Sequence, residues 1–200
     1  MAEKIQKAIA LTIDDGPRES TEKILEILNR YGAHATFFVI GNQINENNAS
    51  VLRKIIESGS EIGNHGMYHN ASDDLIEEEF LKGQEIIEKY AGVTPKVFRT
   101  AGLRQSEKIF NTVTLPIIAG YLDCPDWEFS VPVETRIEGI RNNTVDGRVL
   151  LTHDNFPNVE AFEVVIPEII EKGYKILTIS EMFETGRITP VKGVMIGKRV

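Results

Sequence analysis

Cysteine is nearly absent: Cys124 stands alone among 200 residues, which excludes an internal disulfide framework and leaves the redox compartment open. Long apolar runs are missing as well, none approaching the roughly 20 residues of a membrane span. Basic charge is in deficit, with 22 Lys and Arg against 30 Asp and Glu for a net charge of −8. That balance argues against nucleic acid or an anionic membrane as partner, since both want a basic face, and says nothing against a neutral ligand. The opening Met1-Ala2-Glu3-Lys4 has no signal-peptide core. No repeat and no linker-like stretch interrupts the chain. One domain over residues 1–200 is expected, with its core at about 8–185 and an irregular tail from Thr189.

What is present begins with Thr12-Ile13-Asp14-Asp15-Gly16-Pro17. Ala8, Ile9, Ala10, Leu11 and Ile13 form a short apolar run ending in a Gly-Pro turn signal, which reads as a buried strand. Two carboxylates at its end, partly out of water, need a cation or a metal to compensate them. The plainer reading is a surface turn, because Asp, Gly and Pro are the ordinary turn residues. Helical spacing of Ile24, Ile27, Leu28 and Tyr31, between a Ser20-Thr21-Glu22 cap and Gly32, predicts a helix. Further helices are predicted after Asn47-Asn48, along the face Ile76, Phe80, Ile87 and Tyr90 up to Gly92, and over 106–113, 135–143, 160–172 and 180–184. Pro167 inside the 160–172 pattern should kink that helix or mark its true start. Strands are predicted over 35–40, 61–65, 96–101, 116–122, 148–152 and 175–179.

About seven strands alternating with helices imply right-handed βαβ units and a parallel sheet. An open sheet collects ligand residues at one switch point, whereas a barrel collects them from many strand ends. Asp14-Asp15, His65, Arg99, Asp126 and His153 all fall at or just past the C-terminal ends of predicted strands. The expected fold is therefore α/β, a distorted (β/α)7–8 barrel of parallel strands in a single domain.

The chemistry-bearing residues cluster in short motifs. In His65-Gly66-Met67-Tyr68-His69, Gly66 and the preceding strand favour a strand end and loop over a helix face. With Asp15 the two imidazoles make a two-histidine, one-carboxylate set suited to zinc or a similar divalent ion with positions left for water. Otherwise they are two unrelated loop histidines. Arg99 closes an apolar strand, either as a solvated edge residue or as partner to a buried acid, for which Asp14 is the obvious choice. Asp126-Trp127 and Leu150-Leu151-Thr152-His153-Asp154 complete the set. A histidine at such a strand end is either a satisfied rim residue or, when held by a carboxylate, an oriented proton donor. Cys124 reads as a packed thiol, because no histidine adjoins it.

Taken together, these five stretches resemble the polysaccharide deacetylase family, carbohydrate esterase family 4, over about Ile9 to Phe183. The resemblance implies a distorted (β/α) barrel in which Asp14 is the catalytic base, oriented by Arg99. It implies Asp15, His65 and His69 as ligands of one divalent ion, zinc first, with cobalt, nickel or manganese as alternatives. It further implies His153 as general acid tuned by Asp126, and Trp127 and Leu151 as walls of an acetyl pocket. Two positions depart from the family pattern. Gly66 stands where Ser or Thr usually follows the first histidine. Arg99-Thr100-Ala101-Gly102 replaces an Arg-Pro-Pro-Tyr-like run, so Gly102 keeps a backbone N–H for an oxyanion but brings no ring. The stretch Leu103 to Trp127 and the tail from Pro190 are most similar to the acetylxylan esterase branch. The activity so implied is metal-dependent removal of O-acetyl groups from xylan or xylo-oligosaccharides, that is, xylan degradation with an acetylated polysaccharide or oligosaccharide as partner. N-deacetylation of chitin-type or peptidoglycan sugars is the alternative, and a non-catalytic carbohydrate-binding relative belongs to another class. A metal-dependent phosphoesterase would want basic residues beyond Arg99 and Arg104. The expected location is secreted, alone or as a domain of a longer secreted enzyme, with the cytoplasm as the alternative because no signal peptide is present.

Overall fold

Strand β1 (Lys7–Gly16) is the hub of the fold, and its alternation explains why. Ile9, Leu11 and Ile13 pack outward, in a cluster with Ile24 and Leu28 of one helix and Phe162 and Val165 of another. Ala8 and Ala10 face the opposite way, packed with Phe38, Val97, Ile118, Val149 and Met182. Side chains two apart share a face, so Thr12 and Asp14 continue the line of Ala8 and Ala10 into the interior. The computed structural model describes residues 7–192 and 194–197.

Around β1 the described chain arranges α1 (Thr21–Arg30), β2 (Thr36–Val39), α2 (Ala49–Glu57), β3 (Glu61–Asn64) and α3 (Ile76–Ala91). It continues with α4 (Glu107–Thr112), β4 (Ile117–Ile118), α5 (Val133–Asn143), β5 (Val149–His153), α6 (Phe156–Glu171), β6 (Tyr174–Leu177), α7 (Ile179–Glu184) and β7 (Met195–Ile196). Every strand pairing is parallel: β1 with β2, β5 and β6, β2 with β3, and β4 with β7. Single-residue bridges Asn64–Phe98, Phe98–Ile117 and Tyr121–Leu150 carry the ring from β3 through β4 back to β5. The result is a distorted parallel barrel with all its site-bearing strand ends at one mouth.

The structure departs from the sequence expectations where polar side chains compete for backbone groups. The strand predicted over 96–101 contracts to the bridge at Phe98, because the chain then enters a 3₁₀ turn, Ala101–Leu103, with Gly102 at φ +59° and Leu103 at +53°. The strand predicted over 116–122 survives as Ile117–Ile118 and a bridge at Tyr121. The Ile118 and Ala119 carbonyls accept hydrogen bonds from the Arg99 guanidinium at 2.9 and 3.1 Å. The tail expected to be irregular contains β7, whose Ile196 carbonyl accepts the Ala119 N–H at 2.6 Å; residues 193 and 198–200 lie outside the described chain. Helix α6 starts at Phe156, where the Asn155 side chain accepts the Asn158 N–H and Pro157 sits in the first turn without cost. Pro167 marks no start; the helix runs through it. Ser20 does not cap α1 with its hydroxyl, which goes to the Asp154 carboxylate.

Candidate active site

Asp14 and Asp15 serve one cavity by different backbone means. Asp14 ends the inward line of β1 and is buried. Asp15 should point outward, but the β1–β2 register shifts between Asp14 and Gly16 and Asp15 adopts φ +70°, a left-handed conformation that redirects its side chain to the mouth. Such a conformation in a non-glycine residue costs on the order of 1 kcal/mol and gathers at functional sites. The peptide Gly16-Pro17 that follows is cis.

Arg99 is fully buried beneath Asp14. Its Nη1 donates to Asp14 Oδ1 at 2.5 Å and to Thr12 Oγ1 at 2.8 Å, and the guanidinium lies 4.1 Å from the Phe38 ring centroid. Burial alone would raise the Asp14 carboxyl; Arg99, with His65 and His153, outweighs it and holds the group below the ordinary aspartate range.

Across from this pair, Asp15 Oδ1 lies 3.6 Å from His65 Nε2 and 3.7 Å from His69 Nε2. The donor atoms of Asp15, His65 and His69 all fall within 4.8 Å of one another. Asp15 Oδ1 is the only buried side-chain oxygen or nitrogen among the described residues with no hydrogen-bond partner. An orphaned carboxylate oxygen facing two imidazole nitrogens is what a divalent ion satisfies, and two His with one carboxylate form an ordinary ligand set for it. The supporting contact is also in place: His65 Nδ1 lies 2.9 Å from the Arg99 carbonyl, a bond that commits Nδ1 to donating and leaves the Nε2 lone pair free. Burial, with His69 alongside, pulls His65 down against the pull of Asp14 and Asp15, which favours the neutral ring a metal needs.

The opposite flank carries His153 at the end of β5. Its Nδ1 lies 2.8 Å from Asp126 Oδ1, and its backbone N–H donates to Asp126 Oδ2 at 2.8 Å. Burial opposes a charge on the ring, but the hydrogen bond and charge of Asp126, then Asp14 and Asp15, raise His153 above the usual imidazole value. The Trp127 indole packs edge-on to His153 at 5.6 Å between centroids and is half exposed at the rim. Asp14, Asp15, His65, His69, Thr100, Gly102, Leu103, Trp127, Leu151 and His153 line a single cavity of ≈ 410 Å³. Asp14, Asp15, His65, His69, Gly102, Trp127, Leu151 and His153, each singled out in the sequence for the site, are thus at this mouth, with Arg99 and Asp126 directly behind it.

Several supporting residues carried no sequence signal of their own. Asn158 Nδ2 donates to Asp126 Oδ2 at 2.6 Å and to the His153 carbonyl at 2.7 Å, while its Oδ1 accepts from the fully buried Arg136 at 3.0 Å. Arg136 also donates to the carbonyls of Asp126, Glu128 and Val131, so it holds the loop that carries Asp126 and Trp127. The Asp154 carboxylate accepts from the hydroxyls of Ser20 and Thr21 and ties the start of α1 to the end of β5. Cys124 is a packed thiol, pushed up to about 11 by burial. His34, the fourth histidine, pairs with Glu181 at 2.8 Å, just ahead of the N-terminal end of β2 and away from this mouth.

The sequence profile of polysaccharide deacetylases matches residues 2–115, a span containing Asp14, Asp15, His65, His69 and Arg99. A bifunctional xylanase/deacetylase of Pseudobutyrivibrio xylanivorans is 34% identical over 194 residues, covering 92% of this chain and 32% of its own length, so this chain spans about a third of that protein. A peptidoglycan-N-acetylglucosamine deacetylase of Bacillus cereus is 33% identical over 194 residues, covering 88% of both chains. Among solved structures, a family 4 acetyl xylan esterase from Clostridium thermocellum in complex with a cobalt ion superposes with a TM-score of 0.89. It is 35% identical and the match covers 96% of this chain and 98% of that one. Profile, relatives and geometry agree: the chain belongs to the polysaccharide deacetylase family.

Proposed function

We propose that this chain hydrolyses acetyl groups from a carbohydrate, with a divalent ion held by Asp15, His65 and His69. The observation that carries the reading is the orphaned Asp15 Oδ1 between two imidazoles, flanked by an arginine-paired acid on one side and a carboxylate-held histidine on the other. The ion would supply Lewis acidity, lowering the pKa of water and polarising the acetyl carbonyl. Asp14, kept ionised by Arg99, takes the proton of the attacking water. The backbone N–H of Gly102 is the proposed donor to the developing oxyanion. His153, kept protonated by Asp126, gives its proton to the departing sugar oxygen or nitrogen. Leu151 and the Trp127 indole shape an apolar seat for the acetyl methyl.

Zinc is the proposed ion, since the ligand set suits it. The proposed substrate is O-acetylated xylan or its oligosaccharides, supported by the Clostridium thermocellum esterase and the xylanase/deacetylase relative. A polymer of this kind is met outside the cell, so a secreted location goes with the reading. N-deacetylation is the second reading, favoured by the Bacillus cereus relative.

The deciding experiment measures acetate release from acetylated xylan and from N-acetylglucosamine oligomers side by side, before and after chelation. Xylan is expected to be the better substrate, and chelation to abolish release until zinc is restored. Release from neither substrate with metal present would sink the enzyme reading.

The pH dependence follows from His153. A general acid must be protonated, and Asp126 raises its pKa, so kcat/KM is expected to hold through the usual imidazole value of 6.5 and fall only as pH rises beyond it. Asp126→Asn removes the charge that raises it. The alkaline limb of the pH–rate profile is then expected to move to lower pH, and an unmoved limb would detach Asp126 from this role.

A further inference from the structure

Glu79 is a buried carboxylate, 2% exposed, that forms no ion pair among the described residues. Burying such a group is costly, so its place needs a reason. Both of its oxygens accept from one donor, the backbone N–H of Tyr68, at 3.2 and 2.9 Å. The carboxylate reaches that N–H because residue 66 is glycine: at φ +84°, a Cβ on Gly66 would stand 2.4 Å from Glu79 Oε2. The departure from the family pattern at Gly66 is thus the cavity into which Glu79 fits.

The segment this contact holds is the one between the two imidazoles. Three other backbone groups of the segment are tied: the Gly66 N–H to Asn64 Oδ1 at 2.8 Å, the Gly66 carbonyl to the Gly41 N–H at 2.9 Å, and the Met67 carbonyl to the Asn42 N–H at 2.8 Å. Tyr68 N–H is the last of these groups before His69, whose own backbone sits at φ +56° and whose side chain is 40% exposed. His65 is anchored independently through the Arg99 carbonyl, whereas among the described residues the His69 ring has no comparable bond. The hydrogen bond at Tyr68 therefore lies on the path that brings His69 Nε2 to Asp15 Oδ1.

Building on the metal site proposed above, we infer that Glu79 is a positioning residue for that site, fixing the His65–His69 loop through the Tyr68 N–H so that His69 completes the ligand set. Residues that orient metal ligands typically change affinity by 10–100-fold when removed. The test is titration of the apo protein with Zn²⁺ by calorimetry and with Co²⁺ by its visible absorption, together with melting of the apo and metal-loaded forms. Glu79→Ala is expected to weaken the metal by about 10–100-fold and to shrink the rise in Tm on loading. Glu79→Gln retains an acceptor oxygen and is expected to stay within about threefold of the parent. Gly66→Ala, which drives a methyl against the carboxylate, is expected to weaken the metal independently of how Glu79→Ala folds. Undiminished affinity in Glu79→Ala or in Gly66→Ala would overturn the inference, as would a large loss in Glu79→Gln. A parent protein that binds neither ion would instead remove the metal reading on which this one rests.

Discussion

Asp14→Asn is expected to bind the metal as the parent does and to lose turnover by about 10²–10⁴, the range associated with one general base. The amide is the same size as the carboxylate, and its oxygen still accepts from Arg99 Nη1, so the cavity wall stays in place. What it cannot do is receive a proton. The same change leaves Arg99 a buried cation with neutral partners only, which gives the variant a second signature. Because the folded-state pKa of Asp14 is depressed, its charge stabilises the fold above the ordinary aspartate value and ceases to do so as pH falls through the lowered one. The stability difference between parent and variant is accordingly expected at neutral pH and expected to shrink in acid. Acetate release by the variant at near-parent rates, with metal saturation verified, would remove Asp14 as the base.

Arg99→Met carries the largest expected loss of stability. It strips the guanidinium from a carboxylate that water scarcely reaches, and removal of one partner from a buried pair costs about 3–5 kcal/mol. The Ile118 and Ala119 carbonyls and the Thr12 hydroxyl lose their donor at the same time. For a chain of this length that amounts to a fall in Tm on the order of 10 °C. Calorimetry on the chelated protein is the appropriate measurement, since bound metal would mask part of the loss. A fall below about 1 kcal/mol would show that Asp14 finds other compensation, with water reaching the pair.

Much of the site was legible because its residues sit at the ends of strands with strong patterns. The apolar run into Asp14-Asp15 and the run Leu150–His153 both appear as strands, and the strand-end argument for a ring of contributors matches the barrel mouth. The pairing of Arg99 with Asp14 was one of the two readings open for an arginine closing an apolar strand, and the structure shows that pair. Two kinds of feature were not. Short strands whose carbonyls are diverted to a side chain, as Ile118 and Ala119 are to Arg99, look like full strands in sequence because the diversion is made by a residue nineteen or twenty positions away. Supporting polar residues were hidden among ordinary surroundings. Glu79 reads as one of three acidic residues in the first turn of α3, and only the missing side chain at Gly66 distinguishes it. Asn158 reads as a first-turn residue after a proline, and its bond to Asp126 spans 32 positions.

The central position of β1 has a consequence for how this protein can change. The strand that carries the proposed base is also the one on which three others are zipped, so backbone changes that move Asp14 or Asp15 touch the pairing of the whole barrel. Gly102, Leu103 and Trp127 border the same cavity from segments outside every paired strand. New sugar preferences are therefore to be sought first at Trp127, half exposed at the rim, since Gly102 and Leu103 sit at positive φ, where substitution also strains the backbone.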